Sequence, residues 1–202
     1  MGQERRIVVF NRVTADGLFA GPDGNLDWVV PDTDIDHAGA EGLSGFDGIL
    51  FGRRTYEMFA SFWPHAAQDS GAAQNPHDPQ GASAAMRAMA LWLNETSKIV
   101  FSKSMDDAAW NNTRIIRTLD PTEIAALKRA PGKDLMIFGS ASIVTELTRH
   151  RLIDEYRLVV NPVLLGDGLR LFGSLPEAVS LALVEVKAYG SGNVMLRYRL
   201  GS

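Results

Sequence analysis

The chain has 202 residues, enough for one domain with a full core. Hydrophobic residues make up 46% and charged residues 22%, and the net charge of −4 leaves no basic footprint for DNA or RNA. Cysteine is absent, which removes disulfides, thiol nucleophiles and cysteine-held metals, and no apolar run approaches the roughly 20 residues that span a bilayer. The charged start, Met1 to Arg6, precedes an apolar run too short for a signal peptide, so a cytoplasmic location is expected.

Ile7-Val8-Val9-Phe10 is a continuous apolar run, as in a strand buried on both faces. Asp16 to Asn25 is dense in turn formers and reads as a loop. Asp34 to Leu43 reads as a helix interrupted by Gly39 and Gly42, Gly48 to Phe51 as a strand, and Arg54 to Phe62 as a helix. Pro64 to Ser83 has almost no large apolar residue and is expected to be a surface loop insertion or a substrate lid. Ala84 to Asn94 is predicted helical, and Lys98 to Phe101 and Arg114 to Arg117 as strands. Asp120-Pro121-Thr122-Glu123 is a helix start with an N-cap, a proline in the first helical position and a glutamate placed to close a capping box. Leu135 to Phe138 reads as a buried strand, Ile143 to Thr148 as a helix, and Glu155 to Leu165 as a long strand with Pro162 at a bulge or edge. Leu181 to Ala188 and Val194 to Leu200 flank Tyr189-Gly190-Ser191-Gly192-Asn193 as a hairpin. Val194, Leu196, Tyr198 and Leu200 share one face of it, and Met195, Arg197 and Arg199 the other. Alternating strands and helices followed by a hairpin predict one α/β domain: a mostly parallel sheet, helices on both faces, an antiparallel C-terminal edge.

Two strand-to-helix junctions point to chemistry. At Gly139-Ser140-Ala141-Ser142, glycine and small hydroxyl residues follow a buried strand and open a helix, whose free N–H groups and dipole favour an anion. At Gly52-Arg53-Arg54-Thr55, glycine permits close backbone approach, the arginines supply charge-assisted donors and Thr55 a hydroxyl; an ordinary turn with two solvated arginines is the plainer reading. Two such junctions in one domain suggest a dinucleotide. Ser102-Lys103 follows a strand end, where open α/β sheets bind ligands, and could hold a further phosphate or form a polar turn. Gly166-Asp167-Gly168 reads as a turn, and G-x-G-x-x-G occurs nowhere. His37, His65, His77 and His150 have no metal-ligand spacing, so no metal is expected, and no G-x-S-x-G elbow exists. Asp32, Asp34 and Asp36 are candidate acids or helix caps, and Trp28, beside Asp27, lines a pocket or fills the core.

Taken together, Thr14-Ala15-Asp16-Gly17, Asp27-Trp28, Leu50 to Glu57, Val100 to Lys103, Ile137 to Ser140, Leu152 to Glu155 and Pro162 to Gly166 resemble the dihydrofolate reductase superfamily. More closely, they resemble stand-alone relatives of the C-terminal reductase domain of the bifunctional riboflavin deaminase-reductase, over about residues 5 to 200. The resemblance implies a three-layer αβα fold, NADPH as cofactor and a reductase of a pterin-like or pyrimidine small molecule, with the ribosylamino-pyrimidine step of riboflavin biosynthesis as a specific alternative. A non-catalytic nucleotide-binding or sensory module is the reading from a different class.

By the same resemblance, Gly52, Arg53, Arg54 and Thr55 would sit by the pyrophosphate and adenosine phosphates, Ser102 and Lys103 by the 2′-phosphate. Gly139, Ser140, Ala141 and Ser142 would cradle the pyrophosphate, with Phe138 near the nicotinamide. Val13 and the loop through Gly17 would close over nicotinamide and substrate. Asp36 falls where the family places its substrate-gripping carboxylate, and Asp27 and Trp28 would meet the substrate. Ser140 stands where dihydrofolate reductases carry the second glycine of a pair, and Phe138 where the riboflavin-pathway enzyme carries an acid. Such relatives associate, and the C-terminal hairpin offers an edge strand, so a homodimer is expected.

Overall fold

Residues 4–66 and 84–201 are described in the computed structural model. In chain order the elements are β1 (Ile7–Thr14), β2 (Leu18–Ala20), α1 (Thr33–Gly42), β3 (Phe46–Gly52), α2 (Arg53–Ala66), α3 (Ala84–Glu95), β4 (Ser97–Phe101), β5 (Thr113–Ile116), α4 (Pro121–Arg129), β6 (Asp134–Phe138), α5 (Ala141–Arg149), β7 (Glu155–Asn161), β8 (Leu169–Arg170), β9 (Leu181–Ala188) and β10 (Val194–Leu200). Eight strands form one sheet in the order β5-β4-β3-β6-β1-β7-β10-β9, parallel from β5 to β7 and antiparallel through β10 and β9.

The central strands are apolar on both sides because both faces are covered. On one face Ile7, Val9, Leu50, Leu135 and Ile137 pack with Ile124 of α4 and with Ile143, Val144 and Leu147 of α5. On the other, Val8, Ile49, Phe51, Val100 and Met136 pack with Tyr56 of α2 and Leu93 of α3. This is the three-layer αβα fold.

Several boundaries move. The first helix after β3 runs on through Pro64 to Ala66, so Pro64 and His65 lie in its last turn rather than in a loop. The rest of the predicted insertion, 67–83 with His77, lies outside the described residues. The long strand stops at Asn161, and Pro162 lies beyond it instead of at a bulge, in keeping with its missing donor. The loop after Asp16 holds β2, which pairs with β8 in a small ladder of its own. Asp120 caps α4 as expected, its carboxylate accepting the Thr122 N–H at 2.8 Å.

Lys98, the second residue of β4, is fully buried. Its ammonium donates to the carbonyls of Leu93 and Thr96 at 2.6 and 2.8 Å and lies 4.5 Å from the centre of the Trp110 ring. It thereby satisfies carbonyls at the C-terminal end of α3. Burial lowers its pKa to about 8.

Candidate active site

Neighbouring strands β3 and β6 end side by side, and each turns directly into a helix. The Gly52 N–H donates to Ser140 Oγ at 3.0 Å, and the Ser140 N–H donates to Thr55 Oγ1 at 3.0 Å. The two junctions of the sequence are thus one structure, tied by reciprocal hydroxyl bonds. Ser140 occupies the left-handed region (φ 56°, ψ 51°) directly after Gly139 at φ 55°. That conformation costs a non-glycine residue roughly 1–2 kcal/mol; the two bonds offset it, which explains how serine stands where a glycine is expected. Gly139 has no such latitude, since a Cβ there would lie 3.1 Å from the Thr55 side chain.

With Ser140 turned inward, α5 has no side-chain cap. The N–H groups of Ile143 and Val144 return to the Ser140 carbonyl, while those of Ala141 and Ser142 have no acceptor among the described residues. Helix starts leave such donors for an anion. Ser142 lies beside Gly52: a methyl group added to that glycine would be 3.7 Å from Ser142 Oγ.

The proposed cations divide into two kinds. Arg53 is drawn along α2 into an exposed pair with Glu57 at 3.1 Å. Arg54 and Lys103 are exposed and have no hydrogen-bonding or ion-pair partner among the described residues, so both are available to a ligand phosphate. Ser102 is 7% exposed, and its hydroxyl accepts the N–H groups of Ser104 and Met105 at 3.3 and 3.0 Å, which shapes the turn that presents Lys103.

Phe138 directs its ring into the core, stacked on Phe59 at 5.7 Å between centroids and edge-on to Phe10 and Trp92. Only its backbone stands at the turn. Val13 is buried in the core, and its carbonyl accepts from the Asn161 amide at 3.4 Å. Gly17 sits in the exposed turn after β1, where its N–H closes on the Thr14 carbonyl at 3.0 Å. Asp16 fixes this turn: Thr14 donates to one carboxylate oxygen at 2.5 Å, and the N–H groups of Leu165 and Gly166 to the other at 3.1 and 2.7 Å. Those donors, the Thr14 hydroxyl first, hold the Asp16 pKa down at about 2.

The three aspartates before and within α1 take separate roles. Asp32 is the N-cap, accepting from the N–H groups of Asp34 and Ile35 at 3.0 and 3.1 Å and from the Ser191 hydroxyl of the hairpin turn. Burial works to raise its pKa, but Ser191 and the two N–H groups outweigh it and hold the carboxyl below its ordinary value. Asp34 is exposed. Asp36 pairs with Arg12 at 3.0 Å. Arg12 projects from β1 on the same face as Val8 and Phe10. It also donates to the Val30 carbonyl at 3.4 Å, and burial lowers its pKa.

Sequence reasoning missed Arg12, although a cation inside the apolar run of β1 was the available signal. It also missed Asn161 and Asn193, which clasp the segment after Trp28. Asn161 accepts the Val30 N–H at 2.9 Å, and Asn193 donates to the Val30 carbonyl at 3.1 Å. Trp28 is buried, yet its indole N–H finds no acceptor, and the side-chain oxygens of Asn11 and Asn193 are likewise buried without a donor among the described residues. A buried indole donor without a partner is costly unless a ligand or water completes it. Asp27 is exposed beside it. Among the described residues, no His, Asp or Glu cluster could hold a metal ion, and no helix is long and apolar enough to cross a membrane.

A three-layer αβα sheet with an anion-ready pair of helix starts at adjacent strand ends defines the dihydrofolate-reductase-like class of folds. A family model described as the RibD C-terminal domain matches residues 5–195, and the chain belongs to that family, among the reductases of the riboflavin-pathway type. The uncharacterized protein YyaP of Bacillus subtilis (strain 168) is 30% identical over 202 residues, covering 97% of this chain and 95% of that one. A putative riboflavin biosynthesis protein from Shewanella sp. PV-4 superposes with a TM-score of 0.73 at 21% identity, over 98% of this chain and 99% of that one. Dihydrofolate reductase from Enterococcus faecalis, complexed with NADP(H), superposes with a TM-score of 0.60 at 14% identity, over 98% and 97%. At those identities the two solved structures share the fold.

Proposed function

We propose that this chain is an NADPH-dependent reductase of a pterin-like or pyrimidine small molecule. The observation that carries the reading is the interlocked pair of turns at Gly52 and Gly139, with the N–H groups of Ala141 and Ser142 and the cations Arg54 and Lys103 nearby, all without a partner among the described residues. That donor set fits a dinucleotide carrying an extra phosphate. Ala141 and Ser142 would hold the pyrophosphate, Arg54 the adenosine phosphates, and Lys103 the 2′-phosphate. When bound, NADPH supplies the hydride.

The chain's own residues hold the substrate. The ion pair with Arg12 favours the carboxylate form of Asp36. Asp36 then acts as an anchor that accepts an N–H from the heterocycle, while Arg12 fixes its direction. Trp28 offers its buried N–H as a further donor. The family match and the riboflavin-related name of the Shewanella relative favour 5-amino-6-(5-phosphoribosylamino)uracil as a second candidate substrate.

Titration with NADPH and with NADH, followed by tryptophan fluorescence, tests the cofactor. NADPH is expected to bind the more tightly, and Lys103→Ala to weaken NADPH by about 10-fold, as for loss of one charge-assisted contact, with little change for NADH. Equal losses would remove the 2′-phosphate from Lys103, and failure of both cofactors to bind at millimolar concentration would reject the reductase. Turnover of dihydrofolate or the ribosylamino-pyrimidine, read at the nicotinamide absorbance, separates an enzyme from a sensor. With a turned-over substrate, Asp36→Asn is expected to lower kcat/KM by roughly 10- to 100-fold, mainly through KM. An unchanged KM would take the anchoring role away from Asp36.

A further inference from the structure

The loop from Ser102 to Asn112 joins β4 to β5 without helix or strand, and Lys103 stands near its start. With no ladder or helix to fix it, its place is set by side-chain contacts. Met105 and Trp110 are its buried apolar residues, at 9% and 4% exposure. Both pack in one cluster with Tyr56, which lies in the first turn of α2 beside Arg54 and Thr55. We infer that Tyr56 and Trp110 are positioning residues for the 2′-phosphate of the cofactor, a role that rests on the assignment of Lys103 to that phosphate. They hold the Lys103 loop against the start of α2 and so set the preference for NADPH over NADH.

Trp110 is held from several sides. Its main-chain N–H donates to the Tyr56 hydroxyl at 3.2 Å. Its indole N–H donates to the Asn94 side chain of α3 at 2.7 Å, and the Lys98 ammonium lies 4.5 Å from the centre of its ring. A buried main-chain N–H needs an acceptor, and here a side chain of α2 supplies it. The hold passes to Lys103 through Met105. The Met105 N–H donates to the Ser102 hydroxyl at 3.0 Å, closing the turn that contains Lys103. The Met105 carbonyl accepts from Arg117, just past β5. The acids of the loop are engaged elsewhere: Asp106 pairs with Arg117 at 3.2 Å, and Asp107 accepts the Ala108 N–H at 2.8 Å.

The start of α2 is fixed independently of this loop. Thr55 accepts the Ser140 N–H, and Phe51 packs edge-on to Tyr56 at 6.3 Å between centroids. Loss of the Tyr56 hydroxyl therefore frees the loop and not the helix. A displaced Lys103 loses a charge-assisted contact that depends on distance and direction. The N–H groups of Ala141 and Ser142 stay where they are. NADPH differs from NADH by the 2′-phosphate alone, so the loss falls on NADPH.

Calorimetric titration of the whole chain with NADPH and with NADH tests the inference. The wild type is expected to prefer NADPH, and Lys103→Ala to remove about 10-fold of that preference. Tyr56→Phe keeps the ring and removes the acceptor. It should lower the preference by about 3- to 5-fold, through NADPH alone. Asn94→Ala releases the indole from the other side and should act in the same direction; if Tyr56→Phe does not fold, this variant decides. In Tyr56→Phe/Lys103→Ala the preference should equal that of Lys103→Ala, because residues that act through one contact are not additive. Thermal melts and NADH affinity report whether each variant is folded. A side chain that served stability alone would weaken both cofactors alike or add its effect to that of Lys103→Ala. Either result would overturn the inference, as would an unchanged preference in folded Tyr56→Phe. A wild type without preference, or one whose preference ignores Lys103, would remove the 2′-phosphate assignment itself and this role with it.

Discussion

Replacing Glu155 by glutamine should lower stability by about 2–4 kcal/mol at neutral pH, read as a shift in urea midpoint at constant slope. Glu155 is 1% exposed at the start of β7, with Arg157 at 2.7 Å, Arg197 at 2.9 Å, Arg6 at 3.5 Å and Arg199 at 3.8 Å. Glutamine keeps the shape but removes the only charge that all four cations share. The loss is set below that of a fully buried pair because the arginines are 26–56% exposed and can recover water. Arg6 and Arg197 also retain Asp134 and Glu185.

The pH dependence has a definite sign. Burial works to raise the Glu155 pKa, but the hydrogen bonds from Arg157 and Arg197 and their charges outweigh it, so the folded value lies below the ordinary one. A depressed folded pKa contributes stability that is complete above the unfolded value of about 4.3 and disappears as pH falls through the folded value. Wild type and Glu155→Gln should therefore differ at pH 7 and converge in acid. A gap that persisted into acid would assign the loss to packing, and no gap at pH 7 would show that Asp134 and Glu185 suffice.

Glu155 also shows what a sequence discloses and what it withholds. The Asp154-Glu155 pair stood out as a family mark, but its work depends on partners up to 149 residues away. The hairpin was legible to the residue, because alternation over two strands and a glycine-rich turn are local signals. The α4 start was legible for the same reason. β2 and β8 were not, since strands of three and two residues exist only through pairing with each other. Lys98 looked like an ordinary strand residue, because its burial comes from the end of α3 and the ring of Trp110. At the site, the two phosphate-competent turns were legible and pointed together to one dinucleotide. Their union through Ser140 and Thr55 was not, and neither was the pairing of Asp36 with Arg12 across the β1–α1 connection.

That union makes Gly139→Val the sharpest test of the site. Valine at φ 55° is a left-handed β-branched residue, and its Cβ would lie 3.1 Å from the Thr55 hydroxyl and methyl groups. The variant must push Thr55 away from the Ser140 N–H or pull the turn out of its left-handed pair. Either movement displaces the N–H groups of Ala141 and Ser142 from their place beside Gly52. NADPH affinity is expected to fall by about 100-fold, near 2.7 kcal/mol, with folding retained at a cost of roughly 2–3 kcal/mol. Thr55→Ala is the graded control. It removes the acceptor of the Ser140 N–H without adding bulk, and should cost about 10-fold in the same titration. Wild-type affinity in folded Gly139→Val would mean that the cofactor, if one binds, does not lie across the start of α5, and the dinucleotide reading of these turns would fall with it.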